Sequence, residues 1–88
     1  MIARRSGDWL SAKVGDELVM MSAEHGKYLG LNEVGRRVWE LIEAPREIAD
    51  LCLMLEREFE VTSEVCRTEV ETFLNELVHN GAATLDPS

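Results

Sequence analysis

The first third of the chain alternates and the remainder repeats at helical spacing. "WLSAKV", "ELVMMSA" and "EHGKYLGL" are short runs rich in strand-forming residues, separated by Gly15-Asp16 and by a turn containing Gly26. Together they predict a three-stranded antiparallel meander. In "KYLGL" the period of two sets Leu29 and Leu31 on one face and Tyr28 and Gly30 on the other. One face can join a core while the other is left available, and Gly30, lacking a side chain, leaves a gap beside Tyr28.

At Asn32 the period changes to 3.6. Asn32 is a helix N-cap type, and Val34, Val38, Leu41 and Ile42 follow on one stripe with Trp39 on its flank, ending before Pro45. A second helix is predicted with Pro45 near its start and Ile48, Leu51, Cys52, Leu55 and Phe59 on one face. Thr62 and Ser63 are cap residues for a third, whose apolar face holds Cys66, Val70, Phe73, Leu74, Leu77 and Val78 and which ends at Asn80-Gly81. "AATL" then suits a short closing strand. The predicted fold class is α+β: one domain over residues 1–88, a winged helix-turn-helix with a three-stranded antiparallel N-terminal sheet followed by three helices.

Composition narrows the function. An 88-residue chain has one small core and no room for a deep cleft with a lid. No apolar run approaches the roughly 18 to 20 residues that span a bilayer, and the N-terminus lacks the apolar stretch of a signal peptide, so a cytoplasmic protein without a membrane partner is expected. Cys52 and Cys66 read as small buried hydrophobes. His25 and His79 have no partner at metal-ligand spacing, so no metal or cofactor is expected. No nucleophile has a recognisable base and no Gly-rich phosphate loop is present, so the chain is not read as an enzyme.

The net charge is −8, with the acidic weight in the C-terminal half. The helix that would enter a DNA groove begins "TSEVCRTEVETF", with Arg67 as its one cation among Glu64, Glu69 and Glu71. Phosphate would be repelled by it, which argues against nucleic-acid binding. The edge of "GKYLGL" is a better candidate: an open strand edge recruits another strand, and neither proline nor a charge beyond Lys27 blunts this one. The plain alternative is an inner strand paired on both sides.

The order "GKYLGLNEVGRRVWELIEAP", "EIADLCLMLEREFEV" and "EVETFLNELVHNGAA" resembles the PqqD-like family, the peptide-binding domains called RiPP recognition elements. The resemblance spans nearly the whole chain. Its most specific part is Tyr28, Gly30, Leu31, Asn32, Glu33 and Gly35 followed by Trp39-Glu40-Leu41, with Glu69, Val70, Phe73 and Leu74 matching the third-helix pattern. Glu69 stands where Asp is usual, and Arg46-Glu47 where Thr or Ser often caps the second helix.

The resemblance implies binding of the leader segment of a ribosomally made precursor peptide. In that family the leader adds as a strand to the third strand, in the groove against the third helix, which by position means Lys27, Tyr28, Leu29 and Gly30 facing Cys66, Glu69, Val70 and Phe73. It implies no catalysis and a partner leader peptidase or other maturation enzyme. The similarity of "YLGLNEVGRRVWELI" is greatest to the free-standing lasso-peptide members. An acidic winged-helix interaction or regulatory domain stays open as the alternative, and an open edge leaves room for a homodimer.

Overall fold

A computed structural model describes residues 1–87. Nine elements follow in order: β1 (Ile2–Arg5), β2 (Leu10–Val14), β3 (Glu17–Ser22), β4 (Lys27–Leu31), α1 (Glu33–Leu41), β5 (Arg46–Glu47), α2 (Ile48–Phe59), α3 (Ser63–His79) and β6 (Ala83–Asp86). The strands form two antiparallel sheets, in the orders β2-β3-β4 and β5-β1-β6. The meander expected from the sequence is the first of these, and "AATL" opens the closing strand β6.

The second sheet departs from the expectation. Ile2–Arg5 is a strand between β5 and β6, with Ala3 opposite Leu85 and Arg46, so the strand expected third in order is the fourth. Ala3 is fully buried. Arg5 lies over the Trp39 ring, 4.2 Å from its centroid, and its Nε donates to the Trp39 carbonyl at 3.0 Å, so a short strand with two arginines is tied to α1 through the charge it carries. Because Arg46-Glu47 pairs with β1, α2 starts at Ile48 rather than near Pro45. Its N-cap residue Glu47 makes no side-chain capping bond; instead the Met1 carbonyl accepts the Ile48 N–H at 3.0 Å.

The core is what the helical periods promise. Met20 of β3, Val38 and Ile42 at α1, Leu51 and Leu55 of α2, and Val70, Leu74 and Leu77 of α3 have at most 1% of their surface exposed. Val78 is the exception, 40% exposed, since Leu77 takes the inward position at the last turn of α3. That helix stops through a Schellman motif: Gly81, at φ 76°, donates to the Val78 carbonyl at 3.1 Å, and Ala82 donates to that of Leu77 at 2.8 Å. No helix among the described residues is long and apolar enough to cross a membrane.

Candidate peptide-binding groove

The site begins with an unpaired edge. β4 is antiparallel to β3, with Leu18 opposite Leu31, Met20 opposite Leu29 and Ser22 opposite Lys27, and among the described residues no strand lies on its other side. The alternation holds: Leu31 is buried and Leu29 half-buried, while Tyr28 is 73% exposed and Gly30 has open space where a side chain would be. One residue later the chain becomes helix. The Asn32 side-chain oxygen accepts the Gly35 N–H at 2.7 Å, so β4 enters α1 without a loop and its direction is fixed by the helix it caps.

Beside this junction runs a groove of about 250 Å³. Asn32 and Gly35 form one wall and Glu69, Thr72, Phe73 and Glu76 of α3 the other. Phe73 rests on α1 at its glycine: a Cβ at position 35 would stand 3.0 Å from Phe73 Cε1. At the far end of β4, Lys27 Nζ reaches Asn80 Oδ1 at 3.5 Å, so the start of the strand is joined to the α3 C-terminus. Nothing in this arrangement supplies a nucleophile with a base. Among the described residues, no group of three or more His, Cys, Asp or Glu is placed to hold a metal ion. What it offers is backbone hydrogen bonding along a strand, apolar contact at Phe73 and two carboxylates.

The eight residues expected at the site divide into three sets. Glu69 and Phe73 line the groove. Lys27, Tyr28, Leu29 and Gly30 form the edge strand, and Lys27 and Tyr28 also border an open depression against Trp9, Leu10 and Met21 on the outer sheet face. Cys66 and Val70 are elsewhere, at 2% and 0% exposure beneath α3, with the Cys66 thiol 3.6 Å from the Cys52 carbonyl and its pKa pushed up to about 11 by burial. Their side chains face the core, where they hold α3 in place and have no surface to offer a docked chain. Their spacing from Leu74 and Leu77 on the helical period is the physical reason. Asn32, Gly35, Thr72 and Glu76 belong to the groove and were not singled out as contacts; Thr72 and Glu76, four residues apart on an exposed helix face, carry no signal of their own in the sequence.

Residues 17–82 match the family described as coenzyme PQQ synthesis protein D (PqqD). No curated protein matches the chain. One similar solved structure is TbiB1 in complex with the TbiA(beta) leader peptide, at 25% identity and a TM-score of 0.82, covering 97% of this chain and 99% of that one. Another is lasso peptide synthetase B1 complexed with the leader peptide, at 20% identity and a TM-score of 0.81, covering 94% and 98% of the two chains; at that identity the likeness speaks for the fold. A family match across most of the chain, on a fold assembled around the strand-to-helix junction, identifies this chain as a member of the PqqD family.

Proposed function

We propose that this chain binds the leader segment of a ribosomally made precursor peptide, in lasso-peptide biosynthesis, by adding the leader as a strand to the free edge of β4 and seating its side chains in the groove against α3. The observation that carries the reading is that, among the described residues, β4 has a strand partner on one edge only and runs directly into Asn32, which lines the groove. The solved structures of similar fold are complexes with leader peptides, which supports it. Among the described residues the outer edge of β2 is also free, but β2 is exposed along its whole length and Lys13 interrupts its five residues, a device that discourages pairing.

The chain acts as an adaptor in the cytoplasm. It does no chemistry and presents the precursor to a leader peptidase or other maturation enzyme. Each backbone hydrogen bond to the leader contributes about 0.5–1.5 kcal/mol net, and each apolar side chain buried near Phe73 about 1.5–3 kcal/mol, while ordering a flexible peptide offsets much of both. Sub-micromolar affinity follows. The test is fluorescence polarisation with the labelled leader of its cognate precursor peptide, using wild type and Phe73→Ala, each confirmed folded by circular dichroism. Saturable wild-type binding weakened about 10-fold or more in Phe73→Ala is expected. Absence of saturable binding to the wild type overturns the reading.

A further inference from the structure

The depth of the groove depends on an atom that is missing. Phe73 is half-buried, held on one side by α1 at Gly35 and open on the other to the groove. A Cβ at position 35 would lie 3.0 Å and 3.3 Å from two carbons of the Phe73 ring and 3.2 Å from Asn32 Oδ1, against 3.4–4 Å for an ordinary contact. The helix side has little freedom to retreat. Gly35 donates to Asn32 through its own N–H, and the next turn of α1 is fixed by buried Val38 and Trp39. The phenyl ring is the group free to move, and the space open to it is the groove.

We propose that Gly35 is a specificity-determining residue of the peptide site: by letting Phe73 lie against α1, it keeps the groove open for one large apolar side chain of the bound peptide. This inference rests on the peptide-binding reading above and adds which side chain the groove selects and what sets that choice. A methyl group at position 35 fills part of the groove directly and drives the ring into the rest, so the same strand edge then accepts only a small residue at that position. Alanine is the better helix former, while the Phe73 ring and the Asn32 cap oxygen must each give by a few tenths of an ångström, so melting temperature is read beside affinity to separate fold stability from binding specificity.

The experiment is panning of a phage-displayed random dodecapeptide library on the full chain, as wild type and as Gly35→Ala, with melting temperatures measured for both. Wild type is expected to enrich a consensus with Leu, Ile, Met or Phe at one position, where Gly35→Ala enriches Ala, Ser or Gly. The synthetic peptide selected on wild type should bind Gly35→Ala about 5-fold or more weakly, the effect of overfilling a packed site. Adding Phe73→Leu to Gly35→Ala, which gives a side chain able to step aside, should recover part of that affinity at an unchanged melting temperature. A shared consensus with equal affinity overturns the role of Gly35 while leaving peptide binding intact. So does a loss of affinity that follows a large fall in melting temperature and is not recovered by Phe73→Leu. Panning that enriches nothing on wild type overturns both.

Discussion

Asn32→Ala is the substitution through which the strand-to-helix junction is best examined. The side chain makes one hydrogen bond, accepting the Gly35 N–H at 2.7 Å in a part-buried setting, and α1 is only nine residues long. Removing an N-cap of this kind costs about 0.5–2 kcal/mol, and the short bond, short helix and partial burial put the expected loss at about 1–1.5 kcal/mol. For a domain of this size each kcal/mol lowers the melting temperature by about 4–8 °C, so a fall of about 4–12 °C is predicted. Asn32→Asp and Asn32→Ser keep an acceptor and should remain within about 0.5 kcal/mol of wild type. Thermal melts followed by circular dichroism, with urea titrations to check that the m-value is constant, measure all three. An alanine variant that melts with the wild type refutes the argument, as does an aspartate variant that falls as far as alanine.

Three further outcomes follow from single contacts. Glu60 ends α2 at φ 51°, the left-handed region, so Glu60→Gly should raise stability by about 0.5–1 kcal/mol in urea denaturation, through relief of backbone strain and removal of a negative charge from a helix C-terminus. The Asp8 carboxylate accepts from the Ser22 hydroxyl at 2.6 Å and from the Glu24 N–H at 3.1 Å, which hold its pKa below the ordinary 3.8. Its stabilising effect is present above the unfolded value and is lost as pH falls through the depressed folded value. Asp8→Asn should therefore flatten the acid limb of the stability profile, and an unchanged limb removes the assignment. Cys52 and Cys66 are buried with raised thiol pKa values, so an alkylating reagent at pH about 8 should label them at the rate of global unfolding, and rapid native labelling contradicts their placement.

The sequence carried most of the fold because its periods are clean. Leu29 and Leu31 against Tyr28 and Gly30 is a plain alternation, and Leu51, Cys52 and Leu55 a plain helical stripe, so both orientations are found in the structure. Ile2–Arg5 is too short to show a period, and its reason for being a strand lies far away, in Ala83–Asp86 and in Trp39 under Arg5. The edge strand was legible in the sequence, and the helix side of the groove only in part, through Glu69 and Phe73. Helical spacing groups Cys66 and Val70 with Phe73, and only packing separates two core residues from a third at the margin of the core. Gly35 stood inside the motif of the resemblance, but its closeness to Phe73 joins residues 38 apart and is visible only in three dimensions.

A peptide strand added to β4 is distinguishable from one added to β2, since among the described residues both outer edges of that sheet are free. Isotope-filtered NMR of ¹⁵N,¹³C-labelled protein with the unlabelled leader of its precursor observes the contact directly. The account predicts inter-strand backbone NOEs from the leader to Lys27–Leu31, slowed exchange of the outward amides of that strand, and side-chain NOEs to the Phe73 ring. Inter-strand NOEs to Leu10–Val14 instead, or leader contacts confined to α2, would contradict it.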